Sequence, residues 1–216
     1  MDFKALIFDM DGVLLDSEKL VRACWQAVAD KHGIKDIIET CNLCLGGNQA
    51  ATIEIFKERY GEDFPYDLYK AEMRELFFGP FYGDFIPLKE GVKELLSALK
   101  DAKIPMAVAS STRREIVLKE LKESGIDFYF DAFICGDIVA HSKPDPEIFL
   151  KACQALGVEP SDAYAIEDAY TGIRAAAAGG LRPIMVPDLA EPTEEMEKLC
   201  EVICRSCFEV KEYLFG

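Results

Sequence analysis

The chain has 216 residues, half of them hydrophobic and 29% charged, which suits one large globular domain or one domain with a smaller insert. Its 24 Lys and Arg against 39 Asp and Glu give a formal net charge of −15, which argues against nucleic acid or an anionic membrane as partner. No run approaches about 18 apolar residues, and Met1-Asp2-Phe3-Lys4 lacks the basic start of a secretory signal, so a cytosolic location is expected.

The first element is the apolar run Phe3-Lys4-Ala5-Leu6-Ile7-Phe8, with the content of a buried strand, driving into Asp9-Met10-Asp11-Gly12. Carboxylates at the end of a buried strand are costly unless something pairs with them. Side chains at i and i+2 of an extended chain point to one side, which places Asp9 and Asp11 in one small space. Two acids there suit a metal ion, a nucleophile with an acid/base partner, or both. Asp-x-Asp-Gly is also an ordinary turn sequence and resembles the start of a calcium loop. The calcium alternative fails, because no third ligand precedes Gly12 and the hydrophobic Val13-Leu14-Leu15 follows.

Residues 17–87 hold helical patterns at about 17–32, 48–59 and 66–78 and no convincing strand. The rhythm then changes. A helix is expected over 90–101, with Val92, Leu95, Leu96 and Leu99 at helical spacing. A strand over 104–109 runs into Ser110-Ser111-Thr112-Arg113, and a helix over 112–124 stops at Gly125. A third strand is expected over 131–135. His141-Ser142-Lys143-Pro144-Asp145-Pro146 follows, in which two prolines stiffen the chain around a lysine. A helix over 146–156 ends at Gly157, and a strand over 163–166 runs into Glu167-Asp168. A small-residue helix over 171–178, a strand over 181–186 and an acidic loop and helix over 187–199 complete the reading. Alternating strands and helices predict an α/β fold, a doubly wound parallel sheet with helices on both faces. The helical insert follows the first strand directly and would lie over the carboxyl ends of the strands as a lid.

Eight cysteines include the C-x-x-C pairs Cys41/Cys44 and Cys204/Cys207, which could in principle form a four-thiolate zinc site. The pairs are about 160 residues apart and no Gly-rich knuckle accompanies them, so free buried thiols are expected.

Each polar strand end has an ordinary explanation taken singly. Ser110 suits an N-cap, Lys143 a solvated surface, and Glu167-Asp168 the acidic start of a helix. Together they converge on one edge of a doubly wound sheet. Up to four carboxylates there call for a divalent cation, the lysine adds positive charge, and the combination fits phosphoryl transfer.

Taken in order, Asp9-Met10-Asp11-Gly12-Val13, Ser110, Lys143-Pro144 and Glu167-Asp168 resemble the motifs of the haloacid dehalogenase superfamily. Phe8-Asp9-Met10-Asp11-Gly12-Val13-Leu14-Leu15-Asp16-Ser17 and Ile166-Glu167-Asp168, followed by Gly172-Ile173-Arg174-Ala175-Ala176, are similar to the beta-phosphoglucomutase and small sugar-phosphate phosphatase subgroup. The resemblance spans roughly residues 3–187. It implies a Rossmann-like core of residues 1–16 and 88–216 and a helical cap of residues 17–87. It implies Asp9 as nucleophile, Asp11 as acid and base, Ser110 as a phosphoryl contact and Lys143 as phosphate binder. The backbone N–H groups of Met10, Asp11 and Ser111 would complete the phosphate cradle. Mg²⁺ would be held by Asp9, the Asp11 carbonyl, Asp168 and, directly or through water, Glu167.

A phosphosugar mutase of that subgroup carries a histidine and an arginine in its cap to clamp a far phosphate. The corresponding positions here are Val21 and Gln49, with the register near Gly46-Gly47-Asn48 open by a residue. Both departures favour a phosphatase acting on a small phosphorylated metabolite over a mutase. The cap cations Lys19, Arg22, Lys70 and Arg74 are read as solvated helix faces, although each could face the substrate. A non-catalytic phosphate-binding module is the alternative from another class, and a monomer is the simplest expectation.

Overall fold

The computed structural model describes residues 3–44, 49–79 and 86–216, with Gln49 described by its backbone alone. Strand β1 (Ala5–Phe8) leads into helices α1 (Ser17–His32), α2 (Ile37–Leu43), α3 (Gln49–Tyr60) and α4 (Tyr66–Phe77). The chain continues through α5 (Val92–Asp101), β2 (Met106–Ser110), α6 (Arg114–Glu123), β3 (Ala132–Cys135) and α7 (Glu147–Leu156). It ends with β4 (Ala163–Glu167), α8 (Tyr170–Ala178), β5 (Arg182–Met185), α9 (Glu194–Leu199), β6 (Val202–Ile203) and α10 (Cys207–Phe215).

The strands form one six-stranded parallel sheet in the order β3-β2-β1-β4-β5-β6. The order reverses at β1, which pairs with β2 on one side and β4 on the other. That reversal is where open α/β sheets leave a crevice for ligands. Phe8 is in register with both Val108 and Ile166, so the residues after Phe8 leave the sheet beside the ends of β2 and β4.

Residue size along the strands decides how each face is covered. Leu6, Phe8, Val108, Tyr164 and Ile166 point into the larger core cluster, which also takes side chains from α5, α6 and α10. Ala5, Ile7, Ala107, Ala109, Ala163 and Ala165 point to the other face. The five alanines of that face let α7 and α8 lie close against the strands, packed through Ile148, Phe149, Ala175 and Ala176.

Helices α1, α3 and α4 meet around an aromatic group that is continuous with the larger core cluster. Trp25 lies 5.3 Å from Phe56 and 6.1 Å from Tyr66 between ring centroids, and such pairs add to the area they bury. Chain entering this unit runs beside chain leaving it. The Asp16 N–H donates to the Pro87 carbonyl at 2.8 Å, and the Lys89 N–H donates to the Leu14 carbonyl at 3.0 Å.

The expected strands and helices lie where the sequence places them, with ends shifted by a residue or two. Ser110 and Glu167 are the last residues of β2 and β4 rather than the first beyond them. Three elements lie outside that reading: α2, the two-residue edge strand β6, and α10. Gly46-Gly47-Asn48 and residues 80–85 of the insert lie outside the described residues.

Candidate active site

Asp9 follows β1 directly, and its N–H continues the ladder to the Ile166 carbonyl at 2.9 Å. Its carboxylate accepts from Lys143 Nζ at 2.5 Å. Lys143 comes from the loop before α7 and also donates to Glu167 Oε1 at 2.6 Å and to the Ala109 carbonyl at 2.9 Å. One ammonium thus ties together the ends of β1, β2 and β4. It also lies 5.1 Å from the centroid of the Phe149 ring. The surface-lysine reading fails for Lys143, whose side chain is 8% exposed. Burial works against its charge, but Asp9 and Glu167 outweigh burial and raise its pKa above the usual lysine value.

Carboxylate oxygens of Asp9, Glu167 and Asp168 lie within 4.8 Å of one another. Burial, with the charge of Asp9 adding, pushes Glu167 up to about 7 against the pull of Lys143. Burial, then Glu167 and Asp9, raises Asp168 in the same direction. Two glycines permit this crowding. A Cβ on Gly12, where φ is +80°, would fall 2.3 Å from Asp168 Oδ2. A Cβ on Gly172 would fall 1.9 Å from Glu167 Cδ.

Asp11 has other neighbours. Its carboxylate accepts from Ser17 Oγ at 2.8 Å and Thr112 Oγ1 at 3.3 Å. Burial first, and Asp9 second, push it up to about 6, while both hydroxyls pull it down. Ser110 Oγ accepts from the Thr112 N–H at 3.1 Å, so the hydroxyl keeps its own proton for another acceptor. The Met10 side chain is fully buried in the core, which leaves only its main chain for the site. Ser17 and Thr112 were not singled out in the sequence. Their signal is weak, one hydroxyl six residues after Asp11 and one two residues after Ser110.

Two cavities lie between the sheet edge and helices α1–α4. One, of about 470 Å³, opens over Asp11, Ser111 and Thr112 and is walled by α4 and α6. The other, of about 240 Å³, reaches Asp168 and Ala169 and is walled by Trp25, Phe56 and Tyr66. Glu18 and Val21 line both. The solvated-face expectation holds for Lys19, whose side chain is 77% exposed and pairs with Asp16. Arg74 is likewise exposed, at the edge of the larger cavity, whereas the half-buried Lys70 and Arg22 line the larger and the smaller cavity respectively and depart from that expectation. Helical spacing located their common faces but not the sheet edge opposite. Val21 presents no cation to either cavity, and the Gln49 side chain lies outside the described residues. All eight cysteines are free, and burial raises those for which a shift is resolved.

An acid pair, a lysine and two further acids thus converge at the switch point of a parallel sheet. A family model described as haloacid dehalogenase-like hydrolase matches residues 3–180, and the chain belongs to that family. It is 31% identical over 181 residues to a phosphorylated carbohydrates phosphatase of Thermotoga maritima, covering 84% of this chain and 83% of the relative. It is also 31% identical over 186 residues to the fructose-1-phosphate phosphatase YqaB of Escherichia coli, covering 85% and 96%. Among solved structures, a HAD family hydrolase from Deinococcus radiodurans with bound phosphate and sodium superposes with a TM-score of 0.81 at 26% identity, covering 99% and 95%. The chain is therefore an enzyme of the phosphatase kind, and its relatives support activity on phosphorylated carbohydrates. No helix among the described residues is long and apolar enough to cross a membrane.

Proposed function

We propose that the protein hydrolyses small phosphate monoesters, sugar phosphates first among them, through a phosphoaspartate on Asp9. The observation that carries this reading is the division of the acid pair. Asp9 is bonded to Lys143 beside Glu167 and Asp168, whereas Asp11 is held apart by Ser17 and Thr112 with its pKa raised to about 6. A carboxyl tuned near neutrality serves well as an acid and then as a base. Residues 17–87 act as the cap, and residues 1–16 with 88–216 as the core.

Asp9 Oδ attacks phosphorus, the ester P–O bond breaks, and Asp11 gives its proton to the departing oxygen. Water then attacks the phosphoaspartate, Asp11 takes up a proton from it, and inorganic phosphate leaves with Asp9 restored. Ser110 Oγ donates to a phosphoryl oxygen, and Lys143 offsets charge on both the phosphate and Asp9. The N–H groups of Met10, Asp11 and Ser111 complete the cradle.

Hydrolases of this family generally use Mg²⁺. The residues present fit it: three carboxylates within 4.8 Å of one another form an all-oxygen donor set suited to a hard divalent cation. Asp9, Glu167, Asp168 and the Asp11 carbonyl would hold the ion, which when bound offsets charge on the phosphoryl oxygens.

A screen of phosphorylated metabolites for phosphate release, run on wild type and Asp9→Asn together, tests the reading. Release by wild type with Mg²⁺, abolished by chelation and by Asp9→Asn, is expected. Release that survives Asp9→Asn overturns it, and so does interconversion of sugar phosphates without release.

A further inference from the structure

Glu120 is 3% exposed, yet its carboxyl has no hydrogen-bond or ion-pair partner among the described residues. A carboxyl without a protein partner that borders a cavity takes its hydrogen bonds from whatever fills that cavity. The group lines the 470 Å³ cavity over Asp11. It lies in the α6 segment, whose Ile116 and preceding Thr112 line the same wall. These residues are spaced by four, so the wall runs from Asp11, which Thr112 touches, toward Glu120.

The position of Asp11 decides which cavity receives the leaving group. The proton donor must reach the departing oxygen, and Asp11 lines the larger cavity and not the smaller. The leaving group therefore extends along the α6 wall. From Ile116 to Glu120 the helix rises about 6 Å. Glu120 thus meets an atom several carbons from the ester oxygen.

We propose that Glu120 is a specificity-determining residue that hydrogen-bonds a distal hydroxyl of the leaving group, so that the enzyme selects phosphate esters of polyhydroxylated chains of about sugar length. This rests on the phosphatase reading and narrows its substrate class.

The surroundings suit a hydroxyl, which both gives and accepts a hydrogen bond. Burial, with Asp11 and Glu123 adding and Lys119 opposing, pushes Glu120 up to about 8, which keeps it a neutral acid able to do the same. The other charged groups on this cavity are Asp11, Glu18 from α1, Lys70 and Arg74 from α4, and Arg113 before α6. None of them bonds Glu120. Lys70 instead lies 5.5 Å from the centroid of the Tyr66 ring.

Two esters of equal length separate this role from a structural one: sorbitol 1-phosphate, and n-hexyl phosphate, which lacks the hydroxyls. The readout is the ratio of their kcat/KM values in wild type, Glu120→Gln and Glu120→Leu. Wild type should prefer the polyol ester. Glu120→Leu should lower the ratio at least tenfold, chiefly through KM for the polyol ester, while Glu120→Gln keeps it within about threefold. A structural defect lowers both esters together, so an unchanged ratio in Glu120→Leu overturns the proposal. So does a wild type that hydrolyses hexyl phosphate without preferring the polyol, which leaves the phosphatase reading intact. Hydrolysis of neither ester nor any metabolite in the screen sinks that reading itself.

Discussion

Replacing Gly172 by alanine should disable the site through a single carbon atom. The added Cβ would lie 1.9 Å from Glu167 Cδ and 2.1 and 2.2 Å from its two oxygens. Carbon contacts settle near 3.5 Å, so the carboxylate or the start of α8 must move by about 1.5 Å. Such a shift breaks the 2.6 Å bond from Lys143 to Glu167, and with Glu167 1% exposed no bulk water takes its place. Two effects compete in stability. Alanine in a helix gains about 1 kcal/mol over glycine. Breaking a buried ion pair costs about 3–5 kcal/mol, less here because Lys143 keeps Asp9 and the Ala109 carbonyl. The net expectation is a loss of about 1–3 kcal/mol in urea unfolding, with the fold retained. Activity should suffer more, because a misplacement of about 1 Å in a catalytic array costs on the order of a hundredfold. Phosphate-release kinetics should show that fall in kcat/KM together with a raised Mg²⁺ requirement, since Glu167 adjoins Asp168. A Gly172→Ala enzyme within threefold of wild type, at the same Mg²⁺ requirement, refutes the claim that this contact positions Glu167.

Lys143→Met removes the ammonium shared by Asp9 and Glu167, and phosphate release should fall by at least a thousandfold. Its urea unfolding midpoint at neutral pH without Mg²⁺ should also drop, and an unchanged midpoint would show that the cluster tolerates its own charge. Glu120→Gln should alter how stability depends on pH. The folded chain raises this carboxyl from 4.5 to about 8, so between those values it holds a proton that the unfolded chain has released. Wild-type stability therefore falls as pH rises through that window, by an amount on the order of 3 kcal/mol from this group. The variant lacks this contribution, so Glu120→Gln should gain stability relative to wild type between pH 5 and pH 8 in urea unfolding. An identical difference at both pH values contradicts a buried, proton-holding Glu120.

What could be read beforehand follows from which forces are local. Apolar runs ending in Asp9, Ser110 and Glu167 mark strands because the sheet core buries both faces of each run. The sequence pattern stops two of those strands a residue early. Ladder hydrogen bonds use the backbone and extend under Ser110 and Glu167 whatever their side chains. Strand β6 escapes notice because it is two residues long and depends on β5, through bonds such as Cys204 N–H to the Met185 carbonyl at 2.9 Å. The cavities were illegible for a related reason. Period 3.6 groups Glu18 with Arg22 and Lys70 with Arg74, but it does not reveal that a sheet edge rather than water lies opposite. Glu120 looks like any helical glutamate until α4 is packed across from it.

One residue of spacing explains how two identical acids acquire different work. Asp9 and Asp11 follow β1 in succession, and just after Asp11 the chain turns at Gly12, where φ is +80°, on its way to α1. Asp9 stays in the plane of the sheet, where the Ile166 carbonyl holds its backbone and Lys143 reaches its carboxylate. Asp11 is lifted to the insert side, where Ser17 belongs to α1 and Thr112 to the approach of α6. Only one of the pair therefore meets a cation. The other meets two hydroxyls, and burial and Asp9 outweigh them in raising its pKa to about 6. Under the proposed reaction the order of these roles cannot be exchanged. A nucleophile must be held in place beside the phosphate, and Lys143 bonds the Asp9 carboxylate. A proton donor must hold and release a proton near neutrality beside the cavity that takes the leaving group, and only Asp11 of the two lines that cavity.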